Sequence, residues 1–209
     1  GEHADMIQFW TNRTSKPSTN ITIRGNVLMA GHGGGTQSIF MRNDMVDRGL
    51  AGDEMFYRNI LIEENVILNG HLHGITVGET DGLVIRNNTL LRLQKFVTPA
   101  TRQKKVTIPR INLKPESRRV RVIGNLTLDP PAPRAGWVVQ DNMVVQDITA
   151  MGPGYYHKVF RNAMLGDPGV LENFAYRPDS PAADRALGAP LLQPGADRSR
   201  FAPMAGGRP

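Results

Sequence analysis

The chain contains no cysteine, which excludes a disulfide framework and any metal site built on thiolates. Aromatic residues make up only 6% of its 209 positions, and no apolar run is long enough to cross a membrane. Glycine (22 residues) and proline (15 residues) are plentiful, and 40% of the residues are hydrophobic. Small aliphatic layers joined by many turns fit this composition better than a helical bundle does.

Five segments of the sequence align without gaps on a shared asparagine. Apolar residues stand five and three positions before each asparagine, as Ile21 and Ile23 do before Asn26. The five segments are NITIRGNVLM (20–29), NILIEENVIL (59–68), GLVIRNNTLL (82–91), RVRVIGNLTL (119–128) and GWVVQDNMVV (136–145). A weaker sixth copy ends at Asn162, with Val159 and His157 in the apolar positions.

This spacing predicts short strands stacked in parallel. Alternating apolar residues place one row of side chains on one face of a strand. An asparagine accepts the left-handed backbone of a sharp bend, and stacked asparagines can hydrogen-bond to one another as a buried ladder. We therefore expect an all-β fold, a right-handed parallel β-helix, with loop excursions at 42–56 and 92–118 and little helix. We expect the β-helix to span 1–188 without its N-terminal part, and a Pro/Gly-rich irregular tail to span 189–209.

These repeats resemble the pectate-lyase-like superfamily of right-handed parallel β-helices over roughly residues 1–185. The superfamily includes polysaccharide lyases, mannuronan epimerases and phage tailspikes, so the resemblance implies a fold more than an activity. The Asp-Pro-His motif of the epimerases is absent here, and no cluster of aspartates on adjacent coils matches the calcium site of pectate lyases. No catalytic residue can be transferred from the family by motif.

A second set of segments precedes three of the repeats and carries most of the histidines: GEHADMIQF (1–9), GGGTQSIFM (33–41) and NGHLHGITV (69–77). Alignment on Ile7, Ile39 and Ile75 predicts that five polar residues gather on one outer wall: His3, Asp5, Gln37, His71 and His73. As a catalytic site, a histidine would act as base or acid, oriented by Asp5. Alternatively, these residues form hydrogen bonds at the strand edges and have no catalytic role. The His-x-Asp and His-x-His spacings would also suit a metal, but no third ligand converges, and no metal or other cofactor is expected.

Ten basic residues lie between Arg92 and Arg121, against one acid, Glu116. One interpretation is a loop beside the groove that binds an anionic polysaccharide through Arg102, Lys104, Lys105 and Arg110. The other is a solvated loop that protects an exposed edge. A nucleic acid partner is disfavoured because Phe96 is the only aromatic residue in this stretch.

Three functional hypotheses follow from these patterns. The first is a polysaccharide-recognising β-helix that acts on an acidic glycan as a lyase or epimerase. The second is a non-catalytic spike or adhesin that binds glycans, and a third reading is a spacer. Each predicts an extracellular, cell-surface or virion-associated protein, which could associate as a homotrimer or with a larger assembly.

Overall fold

The computed structural model describes residues 5–201, and these form a mostly β protein with three parallel sheets. The fourteen strands in this part of the chain are β1 (Asp5–Trp10), β2 (Thr19–Arg24), β3 (Val27–Met29), β4 (Gln37–Arg42), β5 (Tyr57–Glu63), β6 (Val66–Asn69), β7 (His73–Val77), β8 (Thr80–Arg86), β9 (Thr89–Arg92), β10 (Arg110–Leu113), β11 (Arg118–Ile123), β12 (Leu126–Thr127), β13 (Trp137–Gln140) and β14 (Met143–Val144). The helices of the same part have four residues each: α1 (Asp44–Asp47), α2 (Tyr156–Val159) and α3 (Pro181–Asp184). The predicted all-β class and small helix content are therefore confirmed.

The chain passes through the three sheets in a fixed cyclic order. Sheet A has the order β1-β4-β7-β10, sheet B has β13-β11-β8-β5-β2, and sheet C has β14-β12-β9-β6-β3. Each round of the chain therefore adds one strand to every sheet, until β13 and β14 extend sheets B and C alone. Every ladder between these strands is parallel. This arrangement is compatible with a parallel β-helix.

The predicted asparagine ladder is confirmed. In each of four successive steps, the side-chain amide Nδ2 donates to the Oδ1 of the next asparagine at 2.9 Å, through Asn26, Asn65, Asn88, Asn125 and Asn142. The backbone N–H of the donor residue binds the same oxygen at 2.9–3.0 Å. The three central asparagines are fully buried, so the ladder satisfies amides that water cannot reach.

The left-handed residue at this corner is not the ladder asparagine itself, so that expectation was wrong. It is the residue immediately before, with φ between 52° and 67°: Gly25, Glu64, Asn87, Gly124 and Asp141. The corner needs one left-handed residue, and the asparagine that follows has its amide committed to the ladder. The prediction of a sixth repeat was also wrong, because His157 and Val159 lie in helix α2.

Aliphatic rows from all three sheets fill the interior. Ile39 and Ile75 of sheet A, Ile62 and Ile85 of sheet B and Leu90 of sheet C are all fully buried there. A second cluster lies on the other face of sheet C, where the segment after β14 packs against it. Sheet C is therefore covered on both faces, and the predicted tail begins at a buried residue, Ala189.

The predicted excursion at 92–118 is shorter than expected, because it contains strand β10 of sheet A. Ile111 of β10 pairs with Ile75 of β7 and is buried. The excursion at 42–56 holds α1 and a short 3-10 turn, Asp53–Met55. Sheet A consequently has four strands, one more than the sequence pattern indicated.

Candidate functional site

Sheet A brings the predicted column of polar residues together at the start of its strands. Asp5 is the register partner of Gln37, and the Ile39–Ile75 pairing places His73 next in line. The oxygens of the Asp5 carboxylate and of the Gln37 amide are shielded from solvent. In an unbroken strand, a residue two positions from a buried isoleucine lies on the same face as it. His3 lies outside the described residues.

The side chain of His73 does not point inward, because β7 carries a bulge at this position. Against Arg110 and Ile111 of β10, β7 presents His73, Gly74 and Ile75, so one extra residue is inserted. Such an insertion bends the strand and redirects the side chain beside it. A Cβ on Gly74 would lie 2.8 Å from the Leu90 side chain and 3.0 Å from the backbone nitrogen of Arg110, so only glycine fits. The bulge therefore brings His73 to the outer face of the sheet.

Three outward-facing side chains hold the imidazole of His73. Its Nδ1 lies 2.7 Å from Thr76 Oγ1, and its ring meets the Phe40 ring edge-on at 5.0 Å between centroids. The Asn112 side-chain amide donates to the same Thr76 hydroxyl at 3.2 Å. Phe40, Thr76 and Asn112 come from three neighbouring strands and form one row across sheet A. These contacts fix the ring orientation of the histidine.

A cavity of about 360 Å³ opens on this outer face. Its polar lining combines one imidazole, two amides, one threonine hydroxyl, one carboxylate and three cations: His73, Asn43, Asn112, Thr76, Asp47, Arg42, Arg110 and Lys114. Of the predicted site residues, the cavity includes His73 and Arg110 but neither Asp5 nor Gln37. His71 lies beside it, with its ring centroid 5.3 Å from that of His73, and His71 Nδ1 accepts the His73 backbone N–H at 3.2 Å.

The environment of His73 favours the neutral imidazole. Burial is the main cause that lowers the pKa of His73 to about 4, and the neighbouring His71 and Arg110 lower it further. At neutral pH the ring is therefore uncharged and can accept a proton or a hydrogen bond.

Carboxylates neutralise two of the three cations in the cavity. Arg42 binds Asp47 at 3.2 Å and Asp44 at 3.3 Å. Lys114 donates a hydrogen bond to Asp47 and also approaches Glu79 at 3.5 Å, and the hydrogen bond to Asp47 is the main cause that raises the pKa of Lys114. Asp47 thus reaches the cavity, but it does so as a partner of these cations.

Arg110 is the cation with unused binding capacity. Its only ion pair among residues 5–201 is a loose one, with Nη1 3.7 Å from Asp129 Oδ2. Its Nε is buried and has no hydrogen-bond partner within that described part of the chain. A buried donor without a partner costs free energy, so this guanidinium is suited to an anionic or carbonyl group entering the cavity.

The other three predicted substrate-binding residues do not line the cavity. Arg102, Lys104 and Lys105 are exposed in the segment before β10, and Lys105 shares Asp129 with Arg110 at 3.6 Å. The sequence had grouped all four by charge alone, whereas the alternation of β10 brings only Arg110 to the outer wall.

Sequence reasoning missed Phe40, Thr76, Asn112 and Lys114, all of which alternate with buried residues of sheet A. Trp10 also belongs to this wall, because it is the register partner of Arg42 and is 51% exposed on the outer face. Treating the residue that follows each aligned isoleucine as outward-facing would have identified most of this wall.

Comparison with family models, with curated proteins and with solved structures finds no match to this chain. No helix within residues 5–201 has the length and apolar character to span a membrane. In the same part of the chain, no three histidine, aspartate or glutamate side chains are grouped so that they could hold a metal ion. The chemistry of the outer cavity is therefore the main guide to function.

Proposed function

We propose that this protein is a right-handed parallel β-helix that binds an anionic polysaccharide on the outer face of sheet A, where His73 acts as a base. One observation carries the proposal: the cavity contains both the neutral, oriented imidazole of His73 and the guanidinium of Arg110. The buried Nε of this guanidinium has no hydrogen-bond partner among the described residues. A uronic acid unit needs both groups, one for its carboxylate and one for the proton beside it.

The strand connections support the proposed right-handedness. Successive strands of each sheet are parallel and are joined through the other two sheets. Such crossover connections between parallel strands are right-handed in almost all proteins. A solenoid of this kind presents one flat wall per sheet, and sheet A carries the cavity.

The outer wall of sheet A suits a sugar chain that runs across the strands. Trp10 on β1 and Phe40 on β4 offer aromatic surfaces, Asn112 on β10 offers its side-chain carbonyl oxygen, and Lys114, directly after β10, offers an ammonium group. Three intervals between parallel strands amount to about 14 Å, so a chain lying from Trp10 to Lys114 would pass over the cavity. Aromatic rings pack well against the apolar faces of sugars while leaving the hydroxyls hydrated.

The chemistry we propose is abstraction of the proton next to a uronate carboxylate. The neutral His73 imidazole takes this proton, and Arg110 stabilises the negative charge that develops on the carboxylate. In elimination, the electron pair forms a carbon–carbon double bond, the bond to the glycosidic oxygen breaks, and that oxygen gains a proton. In epimerisation, the same carbon receives a proton on its opposite face.

The test is turnover on a panel of anionic polysaccharides, followed by the absorbance of unsaturated uronates and by NMR for epimerised units. The proposal expects His73→Gln and Arg110→Gln to abolish turnover, and His157→Gln to leave it intact, because His157 is an exposed residue of α2. Turnover that survives His73→Gln would overturn the assignment of the base. A wild-type protein that binds these polymers without converting any would overturn the enzymatic proposal.

The second candidate is a non-catalytic glycan-binding spike at a cell or virion surface. It is favoured by the neutralisation of Arg42 and Lys114 by neighbouring carboxylates, which leaves a wall of polar groups and one exposed tryptophan. In that case Trp10→Ala would weaken glycan binding, whereas His73→Gln would leave it nearly unchanged. Isothermal titration of both variants measures these binding effects, and the presence or absence of turnover in the wild-type protein separates the two candidates.

A further inference from the structure

One arginine of the basic stretch is fully buried and does not contact the cavity. Arg92, at the end of β9, and Asp147 both have no exposed side-chain surface. They form a two-pronged ion pair, with Nε 2.8 Å from Oδ2 and Nη2 2.7 Å from Oδ1. The backbone N–H of Arg92 also donates to the Tyr156 hydroxyl at 2.9 Å.

The remaining donors of Arg92 hold the segment that leads into β10. Nη1 donates to the Thr107 hydroxyl at 3.0 Å and to the Thr101 carbonyl at 3.4 Å. Nη2 donates to the Arg102 carbonyl at 3.1 Å. One guanidinium therefore fastens residues 101–107 at three points.

This segment continues directly into the cavity. Thr107 is followed by Ile108, the buried Pro109 and then Arg110, whose backbone N–H donates to the Leu72 carbonyl at 3.4 Å. Because proline fixes φ, Pro109 removes one of the backbone rotations between Thr107 and Arg110. A displacement of residues 101–107 would consequently move the Arg110 guanidinium relative to His73.

We propose that the buried Arg92–Asp147 pair is a positioning element that holds Arg110 against His73 through the segment 101–107. The importance of this position for turnover rests on the proposed function, but the positioning itself does not. Burying two charges is costly, and an apolar pair of equal volume could fill the same space. An apolar pair would not bind the carbonyl groups of residues 101 and 102, however, and this binding is what links the pair to the cavity.

The experiment follows the His73 imidazole by NMR during a pH titration without any substrate. Groups that face His73 are His71 from the preceding turn and Arg110 from β10. The proposal expects Asp147→Asn to raise the pKa of His73 from about 4 toward the 6.5 of a free histidine, because Arg110 withdraws and water enters. Arg110→Gln serves as the reference for complete loss of that charge.

Two further variants keep the test decisive if Asp147→Asn fails to fold. Thr107→Val removes one contact from the segment without leaving a buried charge unpaired, and it should raise the pKa of His73 by a smaller amount. Asp81→Asn breaks the exposed pair with Arg119 and should leave the pKa of His73 unchanged. In any variant with turnover, the proposal expects kcat to fall more than KM rises.

An unchanged His73 titration in folded Asp147→Asn overturns the proposal. If that variant does not fold, an unchanged titration in Thr107→Val overturns it instead. A shifted titration in a protein that converts no polysaccharide would leave the positioning role intact and refute the proposed function alone.

Discussion

Replacing Asn88 by alanine tests whether the asparagine ladder stabilises the fold as a buried chain of amides. Asn88 accepts the backbone N–H and the side-chain amide of Asn65, at 3.0 and 2.9 Å, and donates to Asn125 Oδ1 at 2.9 Å. Asn125 Oδ1 keeps the Asn88 backbone N–H in the variant. The Asn65 backbone N–H and one hydrogen of the Asn65 side-chain amide lose their acceptor, while the other amide hydrogen keeps the Ile23 carbonyl. At about 1–3 kcal/mol for each buried donor left unpaired, the expected loss of stability is about 2–6 kcal/mol.

Asn26→Ala is the matched control at the first rung of the same ladder. The substitution removes the hydrogen bond from the Asn26 side-chain amide to Asn65 Oδ1, but the Asn26 backbone N–H still donates to that oxygen. No buried group is orphaned, so the expected cost is that of ordinary hydrogen bonds, about 0.5–1.5 kcal/mol. Urea denaturation with unchanged m-values gives both free energies of unfolding. If the losses of unfolding free energy in the two variants agree within about 0.5 kcal/mol, the reasoning is refuted.

Three further outcomes are expected. Asp147→Asn leaves a buried arginine unpaired and should cost about 3–5 kcal/mol in denaturant unfolding, whereas Asp81→Asn, at an exposed pair, should cost less than about 1 kcal/mol. Gly70→Ala places a Cβ 2.1 Å from the Phe96 ring and should cost about 1–3 kcal/mol, seen as a lower Tm. Because the folded pKa of His73 (about 4) lies below that of the unfolded chain, stability should fall as pH drops from 6.5 to 4; in His73→Gln the urea midpoint should lose that part of its pH dependence.

The rows of buried aliphatic residues and the asparagine ladder could be predicted from the sequence, because each repeat follows the same local spacing. Ile23, Ile62 and Ile85 follow the alternation that a strand with one buried face requires, and all three are buried. Asn65 and Asn88 stack because neighbouring parallel strands place equivalent positions beside one another. These features depend on neighbouring residues in the chain and on one repeated spacing.

The site was less predictable because it depends on departures from that rule. The bulge at Gly74 is set by the packing of Leu90 and the backbone of β10, which no local pattern reveals. Strand β10 was taken as loop, since its register shifts against β7 and basic residues surround it. Arg92 was grouped with the other basic residues between Arg92 and Arg121. Its burial could not be predicted, because its partner Asp147 lies 55 residues away in the sequence and both are buried.

The bulge at Gly74 implies that the wall of this protein can change its chemistry by insertion as well as by substitution. One additional residue carries a side chain from the packed interior to the outside, and the pairing returns to register at the very next position, Ile75 with Ile111. The remaining pairs of this ladder therefore keep a regular parallel register. Variants of this scaffold could acquire or lose an outward-facing group wherever a glycine can occupy the inserted position beside a closely packed neighbour.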